Sequence, residues 1–273
     1  MNFENIISEC KKCNGIGVII KKDGSLLDCD CSKRVDYLKR SVNAGIPKIY
    51  WKLKKDDYDF FDTIGGKKVV NTSKQRAFKE IMEYIQDFKK NISSGKNIYI
   101  WCSQPGRKAG TTLLLTYILR YALKKNMTVL FSPFSFLRGA ANDKSYNDAT
   151  WTEHRKQLID TDILCLDGVS VFKTEGFAAK ERIIEVTDAR SYLQKPTLYA
   201  SYAHPNKYIE MFGPIASSSL SEHNTKFIEI IVKDDNYAEK RVSMNVLVGL
   251  LKKLRSQGNI DVSMSDLENI FRS

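Results

Sequence analysis

The stretch Asn97–Thr112, NIYIWCSQPGRKAGTT, decides the fold of this chain. Ile98, Tyr99, Ile100 and Trp101 form a short apolar run, the mark of a strand buried on both faces. A glycine-containing turn follows, and then an apolar-rich helical run over 113–123. Strand, turn and helix in this order make a phosphate-binding loop. In GxxxxGK[ST], backbone N–H groups at the helix head cradle phosphates, the lysine reaches the β- and γ-phosphates, and the hydroxyl ligates Mg²⁺. Here Pro105 stands at the first glycine, Gly110 at the second, Thr111 at the lysine and Thr112 at the hydroxyl. A neutral hydroxyl cannot offset the charge of a triphosphate, so the loop describes an ATPase architecture with catalysis weakened or lost. Gly106 and Lys108 belong to the same turn. Lys108 or Arg107 either reaches a phosphate from the side or is a solvated loop charge.

Working outward, strands and helices alternate. The spacing predicts a helix over 74–91, strands over 127–131, 162–166 and 196–201, helices over 151–159 and 178–190, and an edge strand over 227–232. Short helices are expected at 208–212 and 217–222, and more helix at 243–255 and 263–270. Alternation of this kind means a parallel sheet covered on both faces. Asp167 ends the DILCL strand, where a P-loop ATPase places its metal-holding acid. The following position, where a second acid polarises the attacking water, is Gly168. The bland alternative for Asp167 is a strand-end or helix-cap carboxylate.

Upstream, four of the six cysteines follow the pattern C-x2-C-x15-C-x-C: Cys10, Cys13, Cys29 and Cys31. Two close pairs separated by a short loop have zinc-ribbon spacing, and four thiolates complete a closed tetrahedral shell of structural type. Gly15–Leu27 between them reads as a hairpin turning at Lys-Asp-Gly. Disulfides fit poorly in the cytoplasmic chain suggested by an N-terminus with no apolar signal core. Cys102 and Cys165 sit in apolar runs and read as core. A basic helix is expected over 32–42, and Gly65–Gly66 among polar residues suggests a linker near 63–73.

The chain has 273 residues, 42% of them hydrophobic, enough for a substantial core. No apolar run is long enough to span a membrane. The formal charge of +11 favours a polyanionic partner over a merely lysine-rich surface. Lys33, Arg34, Lys39 and Arg40, or Lys252, Lys253 and Arg255, are the groups that can meet phosphates. Tyr146, Trp151 and Tyr202 can stack on bases, although aromatics are more often core.

Taken together, the cysteine ribbon, the AGIPKIY segment (44–50), the strand–turn–helix, DILCLDG and the R-x4-KPT-x3-S arrangement from Arg190 to Ser201 resemble the DnaC/DnaI helicase loaders of bacteria and phage. These are AAA+ ATPases related to IstB. The resemblance runs from about Cys10 to Arg241. It implies an AAA+ P-loop-type α/β fold preceded by a zinc-ribbon module. It divides the chain into a helicase-interaction region (1–62), a linker (63–73), an AAA+-like domain (74–242) and a C-terminal helical extension (243–273). It also implies a DnaB-type replicative helicase and single-stranded DNA as partners, and homo- or hetero-oligomers with other AAA+ subunits. The host cytoplasm is the expected location if a phage encodes the chain.

By the same resemblance the four cysteines hold Zn²⁺. Gly106, Lys108, Gly110, Thr111, Thr112, Asp167 and Arg241 line a cleft for ATP or ADP with Mg²⁺, with Arg241 as a sensor-2 arginine. Four positions depart from the family: Thr111 at the P-loop lysine, Gly168 at the second acid, Tyr202 at the sensor-1 asparagine and Ser219 at the arginine finger. All four losses fall on hydrolysis, so a pseudo-ATPase scaffold is expected. The alternatives are an active AAA+ loader whose Lys108 or partner subunit completes the site, and a zinc-ribbon DNA-binding or transposition adaptor.

Overall fold

The computed structural model describes residues 3–102, 109–135, 148–169, 177–213, 219–221 and 223–232. The expected helices at 243–255 and 263–270, half of that at 217–222, Tyr146, Gly106, Lys108 and Arg241 lie outside these residues. The chain divides into two compact units, one of residues 1–60 with 72–231, the other of 61–71 with 232–273.

The larger unit begins with α1 (Glu4–Ser8), the antiparallel pair β1 (Val18–Ile20) and β2 (Leu26–Asp28), and α2 (Asp30–Asn43). In α2, Cys31, Val35 and Leu38 are buried, spaced so as to form one helical face. The smaller unit contributes β3 (Phe61–Ile64) and β4 (Lys67–Val70), paired antiparallel from Phe61↔Val70 to Ile64↔Lys67. Gly65 and Gly66 have φ of 55° and 73° and make its two-residue turn. Positive φ at both positions is the type I′ requirement. The glycine pair that suggests a linker is therefore the corner of a hairpin.

The larger unit continues with α3 (Thr72–Gln86), α4 (Phe88–Ser93), β5 (Asn97–Trp101), α5 (Thr111–Lys124) and β6 (Val129–Pro133). It ends with α6 (Asp148–Asp160), β7 (Ile163–Val169), α7 (Phe177–Tyr192), β8 (Thr197–Ser201), α8 (Pro205–Phe212) and β9 (Thr225–Glu229). The single helix that the spacing predicts over 74–91 is broken at Asp87, which falls between α3 and α4.

The sheet has the order β6-β7-β8-β5-β9, and every neighbouring pair is parallel. All five residues of β5 and all five of β8 are buried, which explains their unbroken apolar runs. Strand alternation sends Tyr99 and Trp101 to one face. There they join Tyr199, Tyr208 and Phe212, with Leu158 of α6 and Ile183 and Val186 of α7. Helix α5 packs against β6, β7 and β8 of the sheet.

At the amino ends of the strands, Arg190 is fully buried. Its Nε donates to Thr197 Oγ1 at 3.1 Å. Its two terminal nitrogens donate to the carbonyls of Leu158, Ile159, Thr161, Asp162 and Pro196. One guanidinium thus ties the end of α6 to the starts of β7 and β8. Burial pulls its pKa down to about 10, still well above neutrality, so it remains a cation in the core.

Candidate functional site

The carboxyl ends of parallel strands form the crevice in which such folds bind ligands. Gly110 caps α5 with φ of 76°, a left-handed backbone that suits glycine. Thr111 and Thr112 are the first helical residues. Thr112 Oγ1 donates to Asp167 Oδ1 at 2.7 Å, so the expected hydroxyl and acid do meet. Burial raises the Asp167 carboxyl above its ordinary range, opposed by the Thr112 hydroxyl and the Gly168 amide.

Gly168 lies where the β7–β8 register slips between Asp167 and Val169, with φ of 72°. Among the described residues, no atom outside its two chain neighbours lies within 4 Å of where its Cβ would stand, but the left-handed backbone disfavours a larger residue. Tyr202 is half-exposed just past β8. Ser219 is buried and its carbonyl accepts from Asn97 Nδ2 at 2.9 Å, which places it in the packing around β5.

Two aromatic residues that the sequence did not single out also reach this end of the sheet. Tyr58 is buried, and its Oη donates to the Ala109 carbonyl at 3.1 Å. A Cβ added to Gly110 would stand 2.6 Å from the Tyr58 ring. Tyr50 has its hydroxyl raised, by burial first and by the Asp167 carboxylate and Tyr202 after it, which puts it in electrostatic reach of the cleft. Tyr50 ends the AGIPKIY segment, which the sequence marks only through the family resemblance and without a role for the tyrosine, and Tyr58 lies in an aromatic stretch without period.

The second constellation is the cysteine cluster. The Sγ atoms of Cys10, Cys13, Cys29 and Cys31 all lie within 4.8 Å of one another. Cys10 and Cys29 approach to 3.8 Å, Cys13 and Cys31 to 3.5 Å. A tetrahedral Zn²⁺ with Zn–S bonds of about 2.3 Å requires S···S separations of roughly 3.8 Å, so the set fits a metal ion. Cys29 is the N-cap residue of α2 and donates its N–H to the Gly17 carbonyl at 2.9 Å. The Gly17 N–H points at Cys13 Sγ, 3.2 Å away. Burial opposes ionisation of Cys13, but that amide and the neighbouring thiols outweigh it and bring the pKa to about 7. Burial and the same neighbours push Cys31 up to about 12. An ion pair, Lys12 Nζ to Asp30 at 2.6 Å, joins the two cysteine turns.

Of the first basic group, Lys33, Arg34 and Lys39 are exposed on α2. Arg40 is engaged instead, its Nε 2.9 Å from Asp36 and its Nη1 donating to Asn126 Oδ1 at 3.0 Å. Trp151 is half-buried with the Arg182 guanidinium 4.6 Å from its ring centroid. Cys102 and Cys165 are core residues. Among the described residues, no helix is long and apolar enough to cross a membrane.

The five-stranded parallel sheet, with α5 following its inner strand β5, defines an α/β protein in which helices flank a parallel sheet. No family model and no curated protein matches the chain. Solved structures do. The crystal structure of the DnaC helicase loader superposes with a TM-score of 0.53 at 19% identity, covering 67% of this chain and 99% of that one. The crystal structure of the DnaI superposes with a TM-score of 0.51 at 15% identity, covering 70% of this chain and 94% of that one. The likeness is one of fold: the chain is similar in fold to the DnaC helicase loader and to the DnaI structure.

Proposed function

We propose that this chain is a helicase-loader-like replication protein that acts as a scaffold, with ATP hydrolysis impaired or absent. The observation that carries this reading is the correspondence over nearly the whole length of the DnaC helicase loader. In this reading Cys10, Cys13, Cys29 and Cys31 hold a structural Zn²⁺, and residues 1–62 present it to a DnaB-type helicase. Single-stranded DNA is the polyanionic partner, met by Lys33, Arg34 and Lys39 of α2.

The cleft retains Gly110, Thr112 and Asp167, which would place a nucleotide's Mg²⁺. It departs from a working ATPase at Thr111, Gly168, Tyr202 and Ser219. Binding without turnover follows, because hydrolysis needs a positioned cation and a group that orients water. The buried Ser219 fits this reading, since an arginine finger must be free to reach a neighbouring subunit's phosphate.

Two measurements test the proposal. The full chain should co-purify with the replicative helicase of its own source, and ATP with Mg²⁺ should give a calorimetric binding isotherm without steady-state phosphate release. Turnover at about 1 s⁻¹ or above, the low end of ordinary enzyme rates, would defeat the scaffold reading. Failure to bind helicase would favour the adaptor alternative.

A further inference from the structure

Between α2 and the smaller unit's hairpin runs a segment, residues 44–58, with little regular structure of its own. Its backbone is nonetheless fastened at several points. At its start, the Ala44 carbonyl accepts from Phe131 N–H at 2.7 Å, on the open side of edge strand β6. Gly45 has φ of 70°, and a Cβ added there would stand 2.8 Å from the Phe131 carbonyl oxygen. Trp51 Nε1 donates back to the Ile46 carbonyl at 2.7 Å and closes the first bend.

Further on, α5 holds the segment by two side chains. Arg120 donates through Nη1 to the Leu53 carbonyl, and Tyr117 Oη donates to the Lys54 carbonyl at 2.6 Å. Lys54 N–H donates to the Asp57 carboxylate at 2.6 Å and fixes the last turn. At its end, Tyr58 stacks on Phe78 with 5.7 Å between centroids, meets Phe60 edge-on, and lies against Gly110 at the head of α5. The same Arg120 donates Nε to Tyr37 Oη of α2 at 2.7 Å. Helix α2 and the segment are therefore secured to one helix by one guanidinium.

We propose that residues 44–58 form a strap that transmits the docking of α2 on β6 and α5 to the head of α5, with Tyr58 as the positioning residue that sets Gly110. The physical basis is that each end of the strap is bonded to a main-chain group: the Ala44 carbonyl accepts from Phe131 N–H, and the buried Tyr58 hydroxyl donates to the Ala109 carbonyl beside Gly110. Neither Gly45 nor Gly110 leaves room for a Cβ, and close-packed contacts of this kind switch between discrete arrangements instead of deforming smoothly. A partner that lifts α2 would thus loosen the first turn of α5 without touching it. The inference rests on the proposed reading of residues 103–112 as a phosphate loop only for its functional meaning; the mechanical coupling stands by itself.

Hydrogen exchange with mass-spectrometric readout on the full chain tests it. Gly45→Ala places a methyl against Phe131 at a positive φ and should loosen the strap's start. Amides at 111–114 should then exchange several-fold faster, although residue 45 touches Phe131 and not Gly110. Peptides from β7 and β8 serve as the control for global destabilisation and should be unchanged. Tyr58→Phe, which removes the bond to Ala109 and keeps the ring, should also speed exchange at 111–114, and the double variant should add little to the larger single effect. Should Gly45→Ala not fold, Trp51→Phe, which opens the first bend by one hydrogen bond, takes its place with the same expectation. Faster exchange in α2 with none at 111–114, or fully additive effects, would overturn the strap. An ATP titration without heat would instead sink the nucleotide reading and leave the exchange result intact.

Discussion

Thr112 and Asp167, fifty-five positions apart, meet through a 2.7 Å hydrogen bond at the carboxyl end of the sheet. The hydroxyl comes from the first turn of α5 and the carboxylate from the end of β7. Burial disfavours the charge on this carboxylate, and the Thr112 hydroxyl offsets part of that cost.

That raised pKa predicts a pH signature. A carboxyl whose folded pKa lies above its unfolded value costs stability once pH passes the unfolded pKa, near 3.8. Asp167→Asn should therefore match the parent in strongly acidic solution and equal or exceed its melting temperature near neutrality. Thermal melts across pH 3 to 8 read this directly; a variant less stable at pH 7 than at pH 3, relative to the parent, contradicts it. The same variant should lose Mg²⁺-dependent nucleotide binding.

Restoring the loop lysine should restore affinity without turnover. Thr111→Lys puts an ammonium at the head of α5, and ATP should bind at least tenfold tighter, about 1.4 kcal/mol. Phosphate release should stay below about 1 s⁻¹. Gly168 sits in a left-handed backbone, so the second acid is missing from the conformation as well as from the sequence. Rapid turnover by Thr111→Lys alone would show that another group orients the water.

Arg190 should be among the costliest residues to remove. Arg190→Ala removes a buried donor from five carbonyls and from the Thr197 hydroxyl. A loss on the order of 3–5 kcal/mol is expected, visible as a lower midpoint in chemical denaturation. Arg190→Lys should recover little, because an ammonium cannot span the end of α6, the start of β7 and Pro196 together.

Metal analysis should find one zinc per chain. Its chelation, or Cys29→Ser, should remove exchange protection from α1 through the first turns of α2, since binding energy at such a site is folding energy. Cys29 serves the cluster and the start of α2 at once, so loss of zinc with α2 unaffected would contradict this account.

Binding to single-stranded DNA should weaken steeply between 50 and 200 mM salt. Neutralising Lys33, Arg34 and Lys39 together should reduce the slope of log K against log salt by about 0.7 for each phosphate that no longer meets a cation. Arg40→Gln should act mainly on stability, because Arg40 is tied to Asp36 and Asn126. A slope unchanged by the triple substitution would place the DNA elsewhere on the chain.

Much of this molecule is legible along the chain. The buried strands β5, β7 and β8 announce themselves as apolar runs, α5 as the helix that follows a glycine turn, and the cysteine cluster through its spacing. These signals are local: burial on both faces forces consecutive apolar residues, and a tetrahedral thiolate set forces close pairs. Where sequence and structure part, a local signal had two meanings. Gly65–Gly66 serves a linker or a type I′ turn equally well, and the break at Asp87 interrupts an apolar period without a proline or glycine to mark it.

The sequence by itself determined the alternating architecture and the cysteine spacing, and side-chain identity alone decides that a threonine and not a cation stands at residue 111. Only the tertiary structure decided that Thr112 reaches Asp167, that Arg190 is a core staple, and that Tyr58 of an unpatterned segment closes on the head of α5. Those relationships join residues far apart in the chain through backbone carbonyls and ring faces. Such partners carry no periodicity and no spacing rule, so they exist only once the sheet has assembled.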